Sequence, residues 1–328
     1  MTTREEVQRE MTLLRLMVKG AYDLQALRIQ AGLRLCANFR AKLKKMKGDA
    51  AEATDEEGEL SEEALEIIKE LKESYKRLTE AVVSKRGRTL PAEKGFVGDE
   101  LISSFTELKL IDQYVALERE EVKQFGQMEG TLDKIPIYTQ YLSKQRGIGP
   151  AMAGVLLSTL DPYKARHVSS FWKYSGLDVV WNVDNRGRSR RQEHLVERTY
   201  LNKDGKEAVR MGITYNPWLK TKLFTLASSF MRSKSPWVSV YDGYKHRLQT
   251  DPARAKSDVK AFKKMNAAKQ DTTHLWTPGR VDMASKRYMV KMFLADLWRE
   301  WRKLEGLPVG EPYAVAKLGL PPHGQAAE

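Results

Sequence analysis

Apolar residues recur at helical intervals through the first 130 positions. Leu13, Leu14, Met17, Leu24, Leu27 and Ala31 stand three, four and seven apart, which predicts one long helix over 4–47. Gly20 and Gly32 weaken that helix without ending it. Residues 48–59 are acidic and rich in small side chains, so they read as a loop. Ser61 is a natural N-cap, and Glu62 and Glu63 suit the first turn of a second helix. Its stripe continues through Leu65, Ile68, Leu71, Tyr75, Leu78 and Val82. After a break over 85–98, a third stripe follows from Asp99: Leu101, Phe105, Leu108, Ile111, Val115 and Val122. Three long amphipathic helices predict a bundle or coiled coil over 1–130, a scaffold or oligomerisation region.

The pattern changes near Asp133. Short helices are predicted through Tyr138, Tyr141 and Leu142, over 151–159 and over 168–174. Strand-like segments follow at 177–181, 194–201 and 207–211, the last two joined by the turn Asn202-Lys203-Asp204-Gly205. Helices resume at 217–230, 238–249, 251–269 and 281–304. The Pro- and Gly-bearing tail over 311–328 reads as loosely ordered. The fold class is therefore mainly α: a long-helix region, then a helical domain over 131–310 with a helix-hairpin-helix and a small β-hairpin.

Charge separates the same two parts. Residues 1–145 carry 24 Lys+Arg against 26 Asp+Glu, and residues 146–328 carry 32 against 17, so the excess of +13 lies wholly in the second part. A concentrated cationic region draws polyanions. The single cysteine, Cys36, excludes an intramolecular disulfide and a Cys-based metal site, and fits a reducing compartment. No apolar run approaches the roughly 20 residues that span a bilayer. No signal peptide is visible either, so a soluble protein of a bacterial or phage-infected cytoplasm is expected.

The segment Lys144-Gln145-Arg146-Gly147-Ile148-Gly149-Pro150-Ala151 resembles a helix-hairpin-helix DNA-binding turn. Gly147 and Gly149 permit a tight bend, and Pro150 suits the first position of the next helix. Free N–H groups at that helix start, aided by its dipole, favour phosphate. Ile148 can plug between the helices, and Lys144 and Arg146 add charge. Such contacts grip backbone rather than bases. The competing reading is an ordinary αα-corner.

Further on come Phe171-Trp172-Lys173-Tyr174-Ser175-Gly176-Leu177 and Met211-Gly212-Ile213-Thr214, then a helix with Lys220 and Lys222. With the glycine turn, this order resembles the C-terminal domain of insertion-sequence transposases that pair a RuvC-like domain with a serine-bearing domain. Piv-like invertases are relatives, and some members use a bridge RNA. The resemblance covers about residues 140–232. It implies DNA transposition or recombination, DNA and, as in those members, a guide RNA as partners, and a serine nucleophile, here Ser189. Arg186, Arg188, Arg190 and Arg191 surround that serine and would neutralise phosphate charge; the alternative is an arginine-rich loop touching backbone. The family's four Mg²⁺-binding acids have no counterpart that can be placed in residues 1–130, so no cofactor is assigned, and Mg²⁺ enters only with such a site. A non-enzymatic DNA-binding protein that has lost strand transfer is the second reading, and a homo-oligomer is expected in either.

Arg287 and Lys291 follow Trp276 on the last helix, where aromatic and basic positions interleave. Phe293 and Trp298 on the same helix read as core. Lys256, Lys260, Lys263, Lys264 and Lys269 form a basic run. The five histidines show no ligand-type spacing and no nucleotide-binding glycine loop is present. A base-excision glycosylase is disfavoured: Asp161 comes too soon after the hairpin and Asp178 too late.

Overall fold

The computed structural model describes residues 4–43, 54, 59–79, 83–84, 87–88, 90–178, 180–181, 187–188, 194–252, 254–268, 270 and 275–310. The expected tail over 311–328 and most of the loop over 48–59 lie outside them. The chain is mainly helical and divides into two compact units. One is Leu13–Gly130, and the other joins Met1–Thr12 to Thr131–Glu328.

The first unit is built from α1 (Arg4–Leu43, of which 13–43 belong here), α2 (Glu62–Thr79) and α3 (Phe105–Leu132), with a two-residue β1–β2 pair (Val83–Ser84, Gly87–Arg88). Leu35, Cys36 and Phe39 of α1 pack with Ala64, Ile67, Ile68 and Leu71 of α2 and Leu108, Ile111 and Tyr114 of α3 in one cluster. Ser61 caps α2 through the Ala64 amide at 3.3 Å, as expected. Two details differ from the sequence pattern. Leu14 and Ala31 of the expected α1 stripe are buried, with Val18, Ala21, Leu35 and Phe39, while Leu13 and Leu27 are exposed. Apolar residues occur on more than one face of α1, and packing selected the stripe one position round. The third helix starts at Phe105 rather than Asp99. Asp99 spends its carboxylate on the Leu101 and Ile102 amides, at 3.0 and 2.7 Å, and so holds a turn instead.

Arg28 lies on the buried stripe of α1, seven residues from both Ala21 and Leu35. Its guanidinium bonds Glu121, and Glu59 lies 3.3 Å away. Lys72 pairs with Glu118, Lys42 with Glu107 and Arg77 with Asp99.

The second unit is organised around α10 (Pro278–Leu304). This helix packs against α4 (Pro136–Gln140), α6 (Val168–Tyr174), α7 (Pro217–Arg232) and α8 (Val238–Thr250). Its Met289, Phe293, Leu294, Leu297, Trp298 and Trp301 are buried. Phe230 of α7, Trp237 and Phe293 form an aromatic cluster with ring centroids 5.3 to 6.5 Å apart. Helix α5 (Pro150–Thr159) lies on α7. Asn216 caps α7 through the Leu219 amide, and Thr277 caps α10 through the Arg280 amide.

The strands β5 (Leu195–Leu201) and β6 (Glu207–Ile213) pair antiparallel, with Leu195 opposite Ile213. Gly205, at φ +73°, turns the hairpin, and Asn202 Oδ1 accepts the Asp204 and Lys206 amides at 2.9 Å. The predicted strand over 177–181 shrinks to β3 (Val180–Trp181), paired with β4 (Gly187–Arg188). Leu177 is used elsewhere: its amide bonds Trp172 O at 2.9 Å, and Gly176, at φ +64°, bonds Lys173 O, so together they close the C-terminus of α6. The predicted helix over 251–269 survives only as α9 (Val259–Ala267). Residues 255–257 instead bond alongside Trp276, Trp276 N to Ala255 O at 2.8 Å and Ser257 N to Trp276 O at 3.3 Å.

Candidate nucleic-acid interface

The glycine turn joins a 3-10 turn (Leu142–Lys144) to α5. Gly147 takes φ +96°, which an L side chain rarely adopts. A Cβ there would also lie 2.6 Å from Ser233 Oγ and 3.0 Å from the Phe230 ring. Its carbonyl accepts Ser229 Oγ at 2.8 Å, fastening the bend to α7. Ile148 is buried, as expected for a plug. Gly149 differs: its φ of −91° suits any residue, and a Cβ there would meet open space. It is the N-cap of α5, with no side chain to bond the first turn. Pro150 is N1 and has no N–H, so the Ala151 and Met152 amides start the helix without intrahelical acceptors. Lys144, Arg146 and Gly149 are exposed and Pro150 and Ala151 half-buried, so the bend faces solvent.

The remaining predicted basic residues divide. Arg186, Ser189, Arg190 and Arg191 lie outside the described residues, and Arg188 is placed only as backbone of β4. Lys222 sits two residues beyond Lys220 on α7 and so on a different face. Lys220, Arg287 and Lys291 do come together, from two helices. Lys220 Nζ lies 4.6 Å from the Tyr215 ring centroid, and Lys291 Nζ 4.3 Å from that of Trp172, whose indole N–H bonds Lys291 O at 3.0 Å. Burial lowers the pKa of all three cations. Lys291 is pushed down to about 8, by burial first and then by the charge of Arg287, with Asp178 acting in the opposite sense.

Two residues that the sequence pattern did not single out as site residues complete this cluster. Asp178 follows α6 and His194 precedes β5, sixteen residues apart, and the Asp178 carboxylate lies 3.8 Å from His194 Nδ1. Thr214 Oγ1 is 3.4 Å from the same nitrogen. The His194 ring meets Tyr215 edge-on at 5.3 Å. His194 is almost fully buried, and among the described residues its Nε2, Asp178 Oδ1 and Ser175 Oγ have no hydrogen-bond partner. Neither histidine spacing nor carboxylate spacing signals this pair, because the two residues stand on either side of the β3–β4 pair and meet only in the folded chain.

The segment Tyr174–Gly176 meets the residues that follow Thr214 here as well. Asn216 N bonds Tyr174 O at 2.8 Å, and Gly176 packs on Tyr215, whose ring would lie 2.6 Å from a Cβ at that glycine. The glycine turn fastens to the far end of the same helix, α7. Ser229, which binds it, is nine residues, or about 13 Å, beyond Lys220.

Among the described residues no group of three or more His, Cys, Asp or Glu is placed to hold a metal ion, and no helix is long and apolar enough to cross a membrane. No protein-family model, curated protein or solved structure matches the chain.

Proposed function

We propose that this chain binds DNA through backbone phosphates and acts in a transposition- or recombination-type reaction. One observation carries the reading: an exposed glycine bend presents the uncapped start of α5 just after exposed Lys144 and Arg146, in a unit with 36 Lys+Arg against 21 Asp+Glu. Helix-start amides, positive dipole and flanking cations favour the same ligand, an oxyanion. The contact is with phosphate, so it is strong at low salt and blind to sequence.

Gly149→Asp tests this without disturbing the bend. The new carboxylate caps the Ala151 and Met152 amides and places negative charge where phosphate would sit. Duplex affinity at moderate salt is expected to fall about ten-fold or more, in a protein at least as stable as the wild type. Unchanged affinity removes the hairpin as the contact. The reaction itself rests on the resemblance: cognate DNA should form a covalent adduct that Ser189→Ala abolishes. Cleavage and joining that survive Ser189→Ala eliminate the serine mechanism and leave the non-enzymatic DNA-binding reading.

A further inference from the structure

None of the residues of β5 or β6 is buried. Leu201, Val209 and Met211 are 57 to 68% exposed. Two strands alone are marginal in water, so a ribbon of this kind gains most when something from outside completes it. The register sorts its two faces by charge. Directly opposed residues share a face, so Arg198 and Arg210 lie together, with Tyr200 and Gly212 beside them. Glu197 and Glu207 lie on the other face, among Leu201, Val209 and Met211. One face carries two arginines and no acid; the other carries two acids and no cation. Like charges directly opposite each other cost stability, so the fold gains nothing from pairing the arginines. Both guanidiniums are nevertheless laid along the ribbon. Arg198 Nη2 donates to Ile213 O at 2.8 Å, and its stem crosses Gly212, where a Cβ would lie 2.8 Å from Arg198 Cδ. Arg210 sits over the Tyr200 ring, 5.1 Å from its centroid. Exposed Lys203 and Lys206 flank the tip.

We propose that the β5–β6 ribbon enters the major groove of duplex DNA, with Arg198 and Arg210 against base edges and Lys203 and Lys206 toward phosphates. Two strands about 4.8 Å apart, with their side chains, fit a groove about 12 Å wide. Guanine offers two acceptors there, N7 and O6, which match the fork of a guanidinium. Glu197 and Glu207 keep the other face off the groove floor by repulsion. A second copy laid on the apolar face is the rival occupant. A two-strand face of seven residues covers roughly 240 Å² per partner, well short of the about 800 Å² of a stable interface. The proposal rests on the nucleic-acid reading above and adds what the glycine bend lacks. The bend grips phosphate and is blind to sequence, whereas the ribbon reads bases.

The test uses the full chain and a mixed-sequence DNA duplex, methylated with dimethyl sulfate at low salt. The reagent attacks guanine N7 in the major groove and adenine N3 in the minor groove. Bound protein should protect guanine N7 and leave adenine N3 reactive. The double variant Arg198→Ala, Arg210→Ala should abolish the N7 protection and lower duplex affinity about ten-fold. Its Tm should stay within about 2 °C of the wild type, because both side chains are exposed and repel each other. Arg210→Ala alone should weaken the protection in the same direction. Gly149→Asp separates the two sites: it weakens binding, yet N7 stays protected in the complex that forms at higher protein concentration. Val209→Asn, on the opposite face, should change neither N7 protection nor the sedimenting mass. Wild-type protein that binds the duplex and leaves N7 reactive overturns the ribbon proposal and leaves the bend standing. Wild-type protein that binds no duplex overturns both. Protection that survives loss of both arginines overturns the ribbon proposal. So does Val209→Asn that halves the mass and removes protection, which assigns the ribbon to a contact between copies.

Discussion

The two units treat buried charge in opposite ways. In the helical unit over 13–130, Arg28 sits on the buried face of α1, and Glu121 and Glu59 neutralise it. The pKa of Arg28 is raised: burial works against the charge, and hydrogen bonds to Glu121 and Tyr114 outweigh it. Asp99 follows the same logic, its carboxyl lowered because the Ile102 and Leu101 amides, Ser74 and Arg77 overcome burial. In the basic unit, burial lowers the pKa values of Lys220 and Lys291, the charge of Arg287 adds to the effect, and Asp178 does not outweigh it. Desolvation is the same physics in both. Where acids answer it, the charge is structural. Where they do not outweigh it, the cation loses basicity.

The largest expected break of this contrast is Glu121→Leu, which removes the main partner of Arg28, leaves it the more exposed Glu59, and should cost about 3 kcal/mol in urea unfolding. A loss below about 1 kcal/mol would mean that Arg28 is not held as described. Next, Lys291→Met should stabilise the protein by about 1–2 kcal/mol at pH 7, the opposite sign, because the cost of burying that charge exceeds what the Trp172 ring and Asp178 return. The gain should shrink with rising pH. Lys291 titrates near 8 when folded and near 10.4 when unfolded, so between these values the unfolded chain binds more protons and wild-type stability climbs. The groups acting on Lys291 are Arg287 of its own helix and Asp178 after α6. A gap between the two proteins that stays constant from pH 7 to 10 would contradict the lowered value.

Smaller again is Asp99→Asn, expected to cost about 1 kcal/mol near neutral pH. Asp99 has a lowered folded pKa, so its contribution is present above the ordinary carboxylate value and fades as pH falls through the folded one. The variant should therefore approach wild-type stability only in acid. The smallest effect on stability is Gly149→Asp, a gain of about 0.5 kcal/mol from capping α5, alongside its large effect on DNA affinity. A destabilised Gly149→Asp protein would show that the amides of α5 are already used.

Local patterns in the sequence were enough for most elements. Ser61, Pro150 and Pro217 mark helix starts, Gly205 marks the hairpin turn, and Ile148, Phe293 and Trp298 were legible as buried positions. These features depend on neighbours within a few residues, and composition separated the basic part from the neutral one. The long-range meetings were not legible. The face that α1 buries, the Arg28–Glu121 pair ninety-three residues apart and the convergence of Asp178, His194, Lys220, Arg287 and Lys291 depend on which helices pack together. A sequence shows how many charges a chain carries. Only the packed fold decides which of them leave water and which opposite charges reach them there.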